Sequence, residues 1–78
     1  MIRLSAVHVE WPDSGPSRFR RHYEYVNPAH VACVAPGMLN RRHVTEVTIV
    51  IGAQCRTIRT FESAGSVARR LTLTTPRT

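Results

Sequence analysis

Lysine is missing from this sequence: all eleven basic residues are arginine, set against five acids, for a formal net charge of +6. The acids are Glu10, Asp13, Glu24, Glu46 and Glu62, too few and too scattered to supply paired carboxylates for general acid–base work. The four glycines stand singly, so no glycine-rich loop is present to cradle a phosphate. No G-x-S-x-G or comparable motif gathers the serines, histidines and cysteines into a nucleophilic site. These absences point away from an enzyme, and no catalytic residue is assigned. No apolar run reaches the ~18 residues of a membrane span. Residues 1–10 lack the apolar core of a secretory signal and are broken by charge, which makes the cytoplasm the default expectation.

Cysteine is scarce as well. Cys33 and Cys55 make no disulfide framework, and a buried, reduced pair is expected in a reducing compartment, with a bridge between them left open. Together with His8, His22, His30 and His43 they offer zinc donors, but not at paired C-x2-C spacing. His30 and Cys33, the nearest pair, face opposite sides of an extended segment. No metal or other cofactor is assigned.

The chain is long enough for one small domain, which buries roughly 60–65% of its unfolded surface. Residues 2–11 alternate with a phase change: Ile2, Leu4 and Ala6 share one face, Val7, Val9 and Trp11 the other, with the strand itself at about 2–10. That pattern calls for a strand with either a bulge or both faces buried. The turn formers of residues 11–17 predict a loop, with Trp11 either a lid on the core or an exposed anchor. In 18–26, Phe19, Arg21, Tyr23 and Tyr25 alternate with Arg18, Arg20, His22 and Glu24. This predicts a half-buried strand with its aromatics in the core and a cationic outer face. Asn27-Pro28 breaks it, Ala29 to Ala35 resumes an apolar run, Pro36-Gly37 closes that run, and 38–43 is expected as a loop.

Residues 44–60 carry the clearest signal. A β-branched run, Gly52-Ala53 and a second run predict a hairpin through a type II′ turn, its aliphatic first strand at the sheet's centre. Ser63 is a helix N-cap, and Ala64, Val67, Ala68 and Leu71 fall on one helical face. The expected fold is α+β: a four- or five-stranded, mainly antiparallel sheet with one C-terminal helix packed on a face. Residues 1–71 form the single domain, and 72–78 a frayed tail or extra edge strand.

Residues 25–71 resemble the small FlbD-type domain of flagellar operons. The likeness rests on Tyr25-Val26-Asn27-Pro28, His30-Val31, Val47 to Ile51, Gly52, Ile58, Glu62-Ser63, Val67 and Leu71. It implies a sheet-plus-helix layout and a non-enzymatic, regulatory role. The insertion at 38–45 and the basic balance depart from that family.

Two functions fit. The first is a regulator or inhibitor acting by protein contact, in the manner of phage-borne or anti-CRISPR-like inhibitors, through Trp11, Arg18, Arg20, Arg21, Tyr23, Arg41 and Arg42. The alternative is nucleic-acid binding through an arginine-rich sheet face formed by Arg18, Arg20, Arg21, Arg41, Arg42, Arg56 and Arg59. It requires that aromatics and arginines share an exposed face. The all-arginine composition itself suits either phosphate recognition or the codon bias of a GC-rich genome.

Overall fold

The computed structural model describes residues 1–74. Five strands form one antiparallel sheet: β1 (Ile2–Glu10), β2 (Arg18–Val26), β3 (Val31–Leu39), β4 (Arg42–Ile51) and β5 (Gln54–Thr60), in the order β2-β1-β5-β4-β3. A helix, α1 (Ala64–Thr74), follows β5. No described helix is long and apolar enough to cross a membrane.

β1 and β2 pair without a break from Ile2–Val26 to Glu10–Arg18. No bulge therefore explains the phase change in β1. Both faces are buried at its midpoint, where Ala6 and Val7 lie beneath cover on opposite sides. The loop between these strands leaves Trp11 73% exposed, which removes the core-lid reading.

β3 runs on through Pro36 and Gly37, contrary to the expectation that they close it, and the loop expected at 38–43 is a tight hairpin. Leu39 pairs with Arg42, and Asn40 and Arg41 both take positive φ (49° and 67°), as a type I′ turn requires. Proline is tolerated because β3 is an edge strand that needs no ladder donor on its outer side. Gly37 leaves space that Glu46 fills: a Cβ there would sit 2.6 Å from the Glu46 carboxyl carbon. The β4–β5 hairpin forms as expected, with Ile51 paired to Gln54 and the positive φ confined to Gly52. β5, not β4, is the central strand.

The inner face buries Ile2, Leu4, Ala6 and Val26 from β1–β2 with Val47, Ile49 and Ile58 from β4–β5, against Val67 of α1. Val31, Val34 and Leu71 border this cluster. Ser63 caps α1 as its residue type predicts, its Oγ accepting from the Ser66 amide at 3.1 Å. Ala68, expected on the packed face, is exposed. The helix continues through residues 72–74, correcting the expected tail there; residues 75–78 of that expectation lie outside the described residues.

β1 and β5 share a single registered pair, Ala6–Thr60. The contacts around it require a steep crossing. Arg56 bonds Glu24, although along a flat sheet these residues would lie about 20 Å apart in the strand direction. On the outer side, Asn40 reaches Ser17 and Arg42 lies over Phe19, joining the opposite corners. The sheet is a saddle, closed toward the inner face along one diagonal and toward the outer face along the other. Twist of one hand produces this shape.

The two turns make opposite predictions. Gly52→Val puts a β-branched residue at positive φ and should lower stability by about 1–2 kcal/mol. Arg41→Gly relieves the same strain and should raise it by roughly 0.5–1 kcal/mol. Thermal melts should move by about 4–8 °C per kcal/mol in the corresponding directions. Unchanged melting of both variants would place the strain elsewhere.

Candidate functional site

The register divides β2 in a way its pattern does not reveal. Val26, Glu24, His22, Arg20 and Arg18 lie on the inner side with Ile2, Leu4, Ala6, His8 and Glu10. Tyr25, Tyr23, Arg21 and Phe19 lie on the outer side with Arg3, Ser5, Val7 and Val9. The aromatics expected in the core therefore face away from it. Tyr23 and Tyr25 are 63% and 67% exposed, and only Phe19 is half-buried. The core accepts Val26 at the other end of the strand instead, beside Ile2.

Ion pairs then sort the arginines. Arg18 and Arg20 both hold Glu10, at 2.6 and 3.1 Å. Arg56 holds Glu24, which also lies 3.3 Å from His22. Arg59 holds Glu46 at 3.2 Å across the β4–β5 pair. Arg70 holds Glu62 at 2.7 Å and donates to the carbonyl oxygen of Arg3, so it ties α1 to β1. Of the sequence-predicted contact residues, Arg18, Arg20, Arg56 and Arg59 are thus engaged by carboxylates. Arg41 sits at the β3–β4 turn, and Trp11 on its loop. The predicted set does not form one patch.

Three of its members, Arg21, Tyr23 and Arg42, do come together, with residues outside it. On the outer side, the Arg3 guanidinium lies 4.5 Å from the Tyr23 ring centre and that of Arg21 lies 5.2 Å from Phe61. Arg42 spans Phe61 and Phe19, at 5.0 and 5.5 Å, and these two rings meet edge to face at 5.3 Å. Each exposed cation–ring contact contributes about 0.5–1 kcal/mol. None of these three arginines has a carboxylate partner among the described residues. A guanidinium held by a ring rather than by a carboxylate keeps N–H donors for another acceptor. Arg3, Tyr25 and Phe61 were missed by sequence reasoning. Arg3 lies on the same alternate face of β1 as Ser5, but only the β1–β2 register puts it beside Tyr23.

Ser5 is the small residue at the middle of this face. Three adjoining hollows share it: one of about 350 Å³ with Arg3, Tyr23, Glu62 and Arg70, one of about 330 Å³ with Arg21, Thr60, Phe61 and Glu62, and one of about 190 Å³ with Arg21, His22 and Tyr23. The floor is firm. Thr60 and Thr45 are buried, the Thr45 hydroxyl donates to the Glu62 carbonyl at 2.6 Å, and the Glu62 amide donates to Thr60 Oγ1 at 3.2 Å. These bonds fix where Phe61 and Glu62 stand.

The cysteines, expected to be buried, are free and exposed on either side of β4, Cys33 beside Thr48 and Cys55 opposite Val50. Two strand spacings separate them, about 9.6 Å, beyond the reach of a disulfide. No three histidine, cysteine or acidic side chains come together to hold a metal among the described residues. Comparison of the chain with protein-family models, curated proteins and solved structures finds no match.

The Glu10 clasp has a pH signature. The hydrogen bond from Arg18 holds its carboxyl below the ordinary 4.5; desolvation opposes this, and the charges of Arg18, Arg20 and His8 add to it. A depressed carboxyl contributes stability above its unfolded value and loses it as pH falls through the folded one. Carbon-detected NMR should find the Glu10 midpoint below 4.5, and Arg18→Ala should return it toward that value. A midpoint indifferent to Arg18→Ala would show that the clasp does not form in solution.

Proposed function

We propose that this chain is a non-enzymatic binding module whose outer sheet face engages single-stranded nucleic acid. The observation that carries the reading is the shared face: Arg3, Arg21 and Arg42, free of carboxylates among the described residues, lie among the exposed rings of Tyr23 and Tyr25 and the half-buried Phe19 and Phe61. Sheets that bind single strands combine these two elements, rings for the bases and cations for the phosphates. Aromatics in the core would have removed the platform; here Tyr23 and Tyr25 are exposed. Net charge adds long-range attraction for a polyanion.

A second reading keeps the protein-contact regulator or inhibitor, of which an anti-CRISPR-like inhibitor is one form. It is supported by the exposed apolar tip of the β4–β5 hairpin, Val50 and Ile51, and by exposed Trp11 and Met38. A regulatory, non-enzymatic role is also what the FlbD-type resemblance implies. Tyrosine, tryptophan and arginine dominate protein interfaces as well, so the same face serves either partner.

Fluorescence anisotropy with a random single strand and a random duplex, each at two salt concentrations, separates the two. The single strand should bind more tightly, with log K falling by about 0.7 per log unit of salt for each arginine engaged. Arg21→Ala and Arg42→Ala should each flatten that slope by about 0.7. Arg18→Ala, whose charge is already engaged by Glu10, should leave it nearly unchanged. No binding of either nucleic acid at low salt would overturn the nucleic-acid reading and leave protein contact as the function.

A further inference from the structure

We infer that the hollow above Ser5 is a seat for one unstacked base and that it selects guanine over thymine or uracil. The inference rests on the single-strand reading and adds the specificity of that site. Ser5 separates Tyr23 on β2 from Phe61 beyond β5, and each ring lines a hollow over it, of about 350 and 330 Å³ respectively. These volumes admit a base, and both rings offer an aromatic face or edge against it. Arg3 stands in the first hollow and Arg21 in the second, within reach of the phosphates on either side of the seated nucleotide.

The wall shared by both hollows is Glu62. A carboxylate is a poor neighbour for a phosphate, so this seat is not built for one. It is built for hydrogen-bond donors. Arg70 holds Glu62 Oε1 at 2.7 Å, and the backbone of Glu62 is fixed by Thr45 and Thr60, so the carboxylate is oriented in advance. An ionised carboxylate offers about four lone-pair sites, and one arginine does not exhaust them. Guanine presents N1–H and N2–H side by side, a match for two carboxylate oxygens. Thymine and uracil present a single N–H flanked by two carbonyls, which the carboxylate repels. Sites that supply matched hydrogen bonds discriminate strongly against analogues that leave them unpaired.

The test uses the full chain with two fluorescein-labelled probes, deca-thymidylate and the same strand with one central guanine. The guanine strand should bind about tenfold more tightly, the scale of one bidentate base contact. Glu62→Gln should shrink the difference between the two probes to less than about twofold. Equal affinity of the wild-type chain for the two probes would overturn the seat while leaving the single-strand reading standing. Binding of neither probe would overturn both. The wild-type comparison depends on no variant, so a Glu62→Gln chain that folds poorly does not obscure the outcome.

Discussion

The whole molecule turns on the crossing of β1 over β5 at Ala6 and Thr60. Two units, the β1–β2 ribbon and the β3–β4–β5 meander, are stitched internally by long ladders, interrupted once by a register shift between Val31 and Cys33, and to each other by a single registered pair. Such a crossing admits no bulk. Ala6 supplies a small inner side chain, and Thr60 fills its place with no exposed surface while accepting the Glu62 amide. Thr45 completes the knot from β4 through the Glu62 carbonyl. Hydroxyls buried here are all partnered, which avoids the desolvation cost of an orphan donor. Twist about this point then brings the inner diagonal together for the core and the outer diagonal together for the rings.

That geometry decides what the charges can do. With eleven arginines and five acids, most cations cannot be neutralised within the chain. The four glutamates are all engaged, and they lie at the saddle's corners and along the sheet. Arginines paired with Glu10 and Glu24 hold the inner margin, where exposed ion pairs, screened by solvent, contribute little to stability. The outer face has Glu46 and Glu62, but these are taken by Arg59 and Arg70. Arg3, Arg21 and Arg42 are left with aromatic rings as their neighbours. A ring attracts a cation without cancelling its charge, so the face stays both positive and sticky.

Much of the fold was legible because local signals agreed with tertiary ones. Asn27-Pro28, Gly52-Ala53 and Ser63 act within a few residues of themselves, and each marks the break, turn or cap it should. The failures arose where one pattern permits two outcomes. Alternation in β2 shows that two faces differ but not which one meets the core; the aromatic face looked apolar, yet the register with β1 gave the inside to Val26. Pro36-Gly37 resembles a stop, but an edge strand forgives a missing donor, and Glu46 needs the glycine. Asn40-Arg41 lacks the glycine that usually announces a type I′ turn. β5 reads as polar and proved central because its Gln54–Thr57 half is exposed while only its end enters the crossing. The site suffered most, since it is assembled from β1, β2, β4 and the residues after β5, and no single stretch holds it.

The absence of lysine acquires a physical meaning only at some positions. At Glu10, a lysine could supply the same charge, and nothing about the clasp on a half-exposed carboxylate demands a planar group. Arg69 is exposed on the helix and places no demand on its identity. At Arg3, Arg21 and Arg42 the shape matters. A guanidinium can lie on a ring through its face and still direct N–H groups along its plane, whereas a hydrated ammonium is a point charge. Arg42 spans two rings that themselves meet edge to face, a contact that a compact ammonium group cannot spread across. Genome-wide codon preference would place arginine at all these sites alike; only the positions beside rings would fail on exchange for lysine. The difference between those two groups of sites, rather than the overall composition, is where selection for a function would be visible.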